Sequence, residues 1–441
     1  MILRRLQLVH SELAIGPATE LATLKAAANN HSDLRMVPVE DLRSLPPDSA
    51  PPLADVEPDG LAYLQFTSGT TGESRAAMIS HRSLIASLRA AITRLEITPE
   101  DVFVSWVPLH HDLGLVRFVF GPLFFGCPAY LLQPSITNLR SWLETASRVR
   151  ATITGSPDFG YRIAARTIDP EGIDLRALRF ATNGGEPARL GTIERFEQRF
   201  GLSRVVRPGY GLAEATLGFT SLAAGEPLRT DSAGNMSCGR PFDGLEIKII
   251  DADGQTLAAG QPGDILVRGT PVFAGYFNDP ISTQPVLRDG WLYTGDIGSL
   301  DEDGHLYVLG RKRALIKRAG VLIPPREIEE VIDQIEGVRL SAAIGHSRSA
   351  DSGTEDVIVI AEIRPDDAPS ETSRAALARR IVSEGTRALG FTPSEVVLVA
   401  PRTIPRTYSG KIQYDTLRQN YVEGELTRRG CVLYGSLNSP R

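Results

Sequence analysis

At 441 residues the chain is too long for one simple core, so two or more domains are expected. Apolar residues make up 42% and charged residues 23%, the balance of an ordinary globular protein. A formal charge of -6, from 47 basic and 53 acidic residues, argues against a nucleic-acid partner held by bulk charge.

The basic start around Arg4 and Arg5 is followed by Glu12 and Glu20 with no uninterrupted apolar core, so no signal peptide is read. No apolar run approaches the length of a membrane span. Cys127, Cys238 and Cys431 are scattered, odd in number and in no metal-ligand spacing. Together these favour a reduced, cytoplasmic enzyme.

The first part, to about Gly60, is weakly patterned and closes on a bridge carrying Pro46, Pro47, Pro51, Pro52 and Pro58, which is extended or loop-like. An apolar strand through Leu64-Gln65-Phe66 then empties into Thr67-Ser68-Gly69-Thr70-Thr71-Gly72. Glycines let the backbone approach a ligand closely, successive N–H groups form an anion-binding concavity, and hydroxyls add donors. The run reads as a phosphate cradle or, taken alone, as a polar surface turn. It is not a Walker loop, because Glu73, Ser74 and Arg75 follow.

Ser80 is placed to cap a helix with Leu84, Leu88, Ile92 and Leu95 on one face. Strands and helices then alternate to about residue 220, with strands over 151–154 and 179–182 and a helix over 191–200. That alternation implies parallel α/β layers. From about 235 short strands crowd together, over 245–250, 264–267, 291–293 and 305–309, around turns such as Asp251-Ala252-Asp253-Gly254. An antiparallel or barrel-like subdomain is expected there.

A third pattern begins near Gly310. Pro325-Arg326-Glu327 opens a helix with Ile328, Val331, Ile332 and Ile335 on one face, and strands over 357–363 and 396–399 flank a helix over 373–389. The expected fold class is therefore α/β. Residues 1–310 form a large N-terminal domain whose β-rich subdomain covers about 235–310, and residues 311–441 form a small mobile α+β lid. The hinge is expected over 310–313.

Further stations follow the glycine loop in order. They are Trp106-Val107-Pro108-Leu109-His110-His111-Asp112, Asn183-Gly184-Gly185-Glu186-Pro187, Tyr210-Gly211-Leu212-Ala213-Glu214, Tyr293-Thr294-Gly295-Asp296, Gly310-Arg311 and Ser409-Gly410-Lys411. Singly, each has a plain structural alternative. Glu214 and Asp296 suit helix caps or turns, Arg311 and Lys411 suit a solvated basic face, and Tyr210 suits the core. Asp112 suits a cap for the segment after it, and packing accounts for most of Phe118, Phe120, Phe124 and Phe125.

As an ordered set the stations resemble the adenylate-forming superfamily of acyl-CoA ligases, fatty acyl-AMP ligases and adenylation domains. The fatty acyl-AMP ligase branch is the closest in wording, through Ser105 to Asp112, Tyr210 to Thr216 and Ser237-Cys238-Gly239-Arg240-Pro241. The resemblance implies activation of a carboxylic acid by ATP and Mg2+ as an acyl-AMP. The acyl group then passes to the phosphopantetheine of an acyl carrier protein, or alternatively to CoA.

In that reading Thr67, Ser68, Gly69, Thr70, Thr71 and Gly72 grip pyrophosphate, and Glu214 holds Mg2+. Tyr210 and Gly211 meet adenine, with Gly185, Glu186 and Pro187 as the opposite wall. Asp296 takes the ribose hydroxyls, Arg311 donates to ribose or phosphate, and Lys411 bridges the acyl carboxylate and the α-phosphate. His111 lines the acyl or nucleotide pocket, or is a structural histidine.

The chain departs from the family pattern in four places. Ser74-Arg75-Ala76 stand where Pro-Lys-Gly is usual, and Ala314 stands at the hinge. The segment before the glycine loop is short, so a homodimer or partner chain could complete it. The stretch between Thr216 and Ser237 is shorter than the insertion typical of fatty acyl-AMP ligases, which favours a CoA ligase. These departures also motivate a non-adenylating relative as a rival reading.

Overall fold

The computed structural model describes residues 2–27, 34–43, 55–68, 74–318, 321–347, 354–364, 366–406 and 411–435. Gly69, Thr70, Thr71 and Gly72 of the glycine loop lie outside them, as do Ser409, Gly410 and most of the proline-rich bridge.

A seven-stranded central sheet organises the first half. Five parallel strands run in the order Ala129–Leu131, Phe103–Ser105, Ile153–Ser156, Phe180–Asn183 and Val206–Gly211. Gly218–Ser221 and Arg240–Pro241 extend the sheet antiparallel. The period of two along a strand sends neighbouring side chains to opposite faces. Phe103 and Phe180 enter the core shared with helix His81–Leu95. Val104 and Ala181 enter the core shared with helices Leu139–Arg148, Asp158–Thr167 and Leu190–Phe200.

Local expectations largely carry through. Ser80 caps its helix, its hydroxyl accepting from the Ser83 N–H at 3.0 Å. The strand expected over 151–154 runs instead over Ile153–Ser156, because Ala151 still closes the helix before it, donating to the Ala146 carbonyl at 2.8 Å. Asp112 caps the segment after it, as its sequence position suggested, accepting from the Leu113 N–H at 2.8 Å. That segment, Leu113–Phe120, is a π-helix, the wide i→i+5 form associated with functional sites. Phe118 is fully buried, while Phe124 is largely exposed.

A five-stranded antiparallel sheet follows, built from Leu245–Ile250, Gly263–Gly269, Leu287–Arg288, Trp291–Leu300 and Leu306–Arg311. The strand expected to end at Tyr293 continues to Leu300. Gly295, at φ +74, takes the turn-like conformation inside the strand that only glycine adopts cheaply. The Thr294-Gly295-Asp296 motif is therefore an irregularity within a strand rather than its end.

The last part carries a four-stranded sheet in the order Val338–His346, Asp356–Ile363, Glu395–Val399, Val432–Gly435. Helices Pro325–Ile332 and Glu371–Leu389 pack on one side of it. Helix Tyr414–Val422 contributes Leu417 to the core on the other side. The weakly patterned start contains helices Ile2–Leu8, Ala18–Ala27 and Val39–Arg43 with a parallel pair, Leu13–Gly16 and Arg35–Pro38. Apolar residues are spread around helix Ala18–Ala27 rather than along one stripe, so no period announced it. Among the described residues no helix is long and apolar enough to cross a membrane.

Candidate active site

A cleft of about 1400 Å³ opens where the parallel strands end. Open α/β sheets bind ligands at the carboxyl ends of their strands. The hairpin Leu61–Ser68 and Ser74–Ser80 brings Phe66, Thr67 and Arg75 to it, and the ends of the central strands bring Gly185, Tyr210 and Gly211. Glu214 follows in a 3-10 turn, the antiparallel sheet supplies Gly295 and Arg311, and Lys411 enters from the C-terminal part.

Tyr210, Asp296 and Arg311 form a closed set. Asp296 is 5% exposed and off the cleft lining. One of its oxygens accepts from the Tyr210 hydroxyl, and the other meets Arg311 Nε at 3.1 Å. The Asp296 carboxylate raises the Arg311 guanidinium above its ordinary range, so the charge is fixed. Arg311 also donates to the Thr294 carbonyl at 2.7 Å. Burial, then the Asp296 charge, pushes the Tyr210 phenol well up, so it stays a donor. What Asp296 presents to the cleft is thus Tyr210 and Arg311 in fixed poses.

A second set surrounds Glu214. The Tyr276 hydroxyl donates to Glu214 Oε1 at 2.7 Å, and the Arg75 guanidinium lies 5.4 Å from the Tyr276 ring centroid. Tyr276 was not legible as a site residue, since it stands 62 residues from Glu214 in an unremarked loop. Arg75, a departure from the family pattern, faces the cleft beside Thr67, its partner across the hairpin.

Among the described residues no group of three or more His, Cys, Asp or Glu could by itself hold a metal ion. Glu214, Asp112 and Asp415 are the carboxylates that line the cleft among the described residues, and Mg2+ takes one or two carboxylates plus phosphate oxygens and waters. Glu214 is the residue that would hold it.

Lys411 closes the cleft opposite. A Cβ placed on Gly185 would stand 3.9 Å from Lys411 Nζ and 3.9 Å from His111 Cε1. Gly185 has φ +88, so only glycine leaves that corner both open and unstrained. Burial pulls the Lys411 ammonium below its ordinary range, and the charges of Asp112 and Glu186 partly restore it. His111 Nδ1 lies 2.6 Å from Asp112 Oδ1. Burial alone would raise Asp112, yet His111, Lys411 and the Leu113 N–H together hold it below the usual carboxylate range.

The other expected wall residues divide. Gly185 lines the cleft, while Glu186 and Pro187 do not. The Glu186 carboxylate instead accepts from the Phe159 N–H at 2.5 Å, near the start of helix Asp158–Thr167. Burial and the charge of Asp158 push Glu186 upward. Its work is local, tying the turn to that helix. Thr67 lines the cleft, and Ser68 ends the first hairpin strand.

Direct bonds join the C-terminal part to the rest. Arg189 Nε meets Glu330 Oε1 at 3.0 Å, and Arg326 donates to Asn235 and to the Val308 carbonyl. In the same part, the Tyr414 hydroxyl donates to the buried Glu329 carboxyl at 3.0 Å, with the Ala343 N–H at 3.0 Å. Tyr414 opens the helix just after Lys411. Burial raises Glu329 to about 8, and its oxygens accept both of these bonds.

A family model described as AMP-binding enzyme matches residues 6–277, more than half of the chain. The chain is 32% identical over 416 residues to a medium-chain-fatty-acid–acyl-carrier-protein ligase, TtuA, of Teredinibacter turnerae. That match covers 84% of this chain, and the chain spans 64% of the relative's length. A solved structure from a study of fatty acyl-adenylate ligases from E. coli and L. pneumophila superposes with a TM-score of 0.86 at 27% identity. It covers 97% of this chain and 81% of the other. McyG A-PCP complexed with phenylalanyl-adenylate shares the fold, with a TM-score of 0.87 at 23% identity over 97% of this chain and 68% of that one. The chain belongs to the AMP-binding enzyme family.

Proposed function

We propose that this chain converts a carboxylic acid and ATP into an acyl-adenylate and then passes the acyl group to the phosphopantetheine thiol of an acyl carrier protein. The observation that carries this reading is Lys411, held beside Gly185 and His111 and facing the Tyr210–Asp296–Arg311 set across one cleft.

A carboxylate oxygen attacks the α-phosphorus, the bond to the β-phosphate oxygen breaks, and pyrophosphate leaves. The transition state gathers negative charge between acid and phosphate. A lysine desolvated in place stabilises such charge without reorganising. The incoming anions also offset the cost of burying its charge. Tyr210 offers a ring face to adenine, and Arg311, half exposed, donates to ribose or phosphate. An Asp296 contact with ribose hydroxyls exchanges for its bond to Tyr210. Thr67 with the loop through Gly72, backed by Arg75, takes the pyrophosphate. Mg2+ on Glu214 would neutralise phosphate charge.

In the second half-reaction the thiolate attacks the acyl carbonyl and AMP leaves. Residues 311–441 act as the lid that carries Lys411, with its pivot over 310–313. Ala314, 9% exposed and bonded through its N–H to the Arg311 carbonyl at 2.9 Å, stands just past that pivot.

Mass spectrometry of products formed from ATP, a panel of acids and either CoA or a carrier protein with its phosphopantetheine arm tests the acceptor. Loading of the carrier with little free acyl-CoA is expected. Efficient acyl-CoA formation with an unloaded carrier would overturn the acceptor assignment.

A further inference from the structure

Among the described residues, one buried cation that lines the cleft has no bonded partner. Arg117, in the π-helix Leu113–Phe120, is 6% exposed and lines the cleft together with Leu113, Phe180, Leu217 and Gly218. Among the described residues no carboxylate, carbonyl or hydroxyl is bonded to its guanidinium, and its Nε is buried without a partner. Burial alone pulls it down to about 10, so it remains protonated at neutral pH.

Arg207, also buried, shares the unpartnered Nε but differs at its terminal nitrogens. Its guanidinium donates to the carbonyls of Glu226 and Arg204, with the charges of Glu197 and Glu226 nearby. An unpaired buried ion costs several kcal/mol, and a fold carries one at a functional site when a ligand completes it.

Two further observations point the same way. The Thr182 hydroxyl lines the same cleft and is also buried without a partner. A Cβ on Gly218 would stand 3.9 Å from Arg117 Nη2, so the space beside the guanidinium is bounded there by backbone rather than by a side chain. Arg117 also stands five residues beyond Asp112, one i→i+5 step along a π-helix.

We propose that the acid activated here carries a second carboxylate, which Arg117 binds as its counter-ion, with the Thr182 hydroxyl as a further donor. This rests on the acyl-adenylate reading and narrows its substrate to dicarboxylic acids. One carboxylate reacts near Lys411, and the other anchors the far end. A site built to pair a buried charge rejects an analogue lacking the partner far more strongly than an apolar pocket rejects a missing methylene.

The test is pyrophosphate–ATP exchange with α,ω-dicarboxylic acids from malonic to sebacic, each against the monocarboxylic acid of equal carbon number. At the best length the dicarboxylic acid is expected to exceed its partner by about tenfold or more in kcat/KM. Arg117→Met is expected to lower the dicarboxylic-to-monocarboxylic ratio by about tenfold to a hundredfold, and Arg117→Lys by less. Monocarboxylic acids preferred at every length, or a ratio unmoved by Arg117→Met, would overturn the proposal. The wild-type ratio decides even if the methionine variant fails to fold. No exchange with any acid would instead count against the acyl-adenylate reading itself.

Discussion

The two sides of the cleft treat their polar groups in opposite ways. On the side proposed for the nucleotide, Tyr210, Asp296 and Arg311 satisfy one another, as do Tyr276 and Glu214. On the side proposed for the acid, Arg117 and Thr182 hold buried polar atoms with no partner among the described residues. Fully partnered groups are preorganised and bind whatever matches their fixed poses. Unpartnered ones store a penalty that only the right ligand relieves. In the proposed reading the contrast sets the nucleotide side for a constant ligand and places discrimination on the acyl side.

The largest expected effect is at the point where the sides meet. Lys411→Ala should reduce acyl-adenylate formation by about 100- to 1,000-fold while changing ATP affinity, measured by titration calorimetry, far less. Comparable losses in both would make Lys411 a nucleotide-binding residue only and erase the distinction.

Next come two substitutions whose effects on stability should have opposite signs. Asp296→Ala strands the Arg311 and Tyr210 donors and should destabilise the protein by about 2–4 kcal/mol in urea unfolding, with weaker ATP binding. Arg117→Met removes an unbalanced charge and should stabilise the ligand-free protein by about 1 kcal/mol or more. Two losses of similar size would mean that Arg117 is partnered after all.

A smaller effect belongs to Glu329, outside both sides. Its carboxyl is raised to about 8 in the folded chain from an ordinary value near 4.5. Its contribution to stability is therefore fully present below about pH 4.5 and is lost as pH rises through about 8. The unfolding free energy from urea titration should fall over that window by on the order of a few kcal/mol at most. Glu329→Gln, which keeps an acceptor for Tyr414, should flatten the slope and gain stability at pH 8.5. An unchanged slope would show that Glu329 is already ionised.

The smallest effect is expected at Arg189–Glu330, whose side chains are 25% and 42% exposed. Exposed pairs are worth about 0–1 kcal/mol, so Glu330→Gln should slow adenylation only a fewfold, and less in high salt. A loss approaching that of Lys411→Ala would make this pair the main latch of the lid.

Much of this was legible in the sequence where the signal is local. The Ser80 cap, the strand Leu245–Ile250 and the helix opened by Pro325 lie where residue period and capping chemistry put them. The ordered motifs brought Thr67, Gly185, Tyr210, Glu214, Arg311 and Lys411 to one cleft. What escaped was set by distant contacts. Tyr276 meets Glu214 across 62 residues, and Glu186 turns away to a helix it does not adjoin in sequence. Arg117 left one visible sign, a lone charge inside the apolar run from Leu113 to Phe125. Its isolation emerges only when Phe180, Leu217 and Gly218 enclose it.

The central claim is that this cleft forms an acyl-adenylate, and the most direct measurement is acid-dependent exchange of labelled pyrophosphate into ATP. The account predicts exchange with at least one carboxylic acid, abolished by omitting the acid and nearly abolished by Lys411→Ala. A folded wild-type protein that binds ATP and shows no exchange with any acid would contradict it.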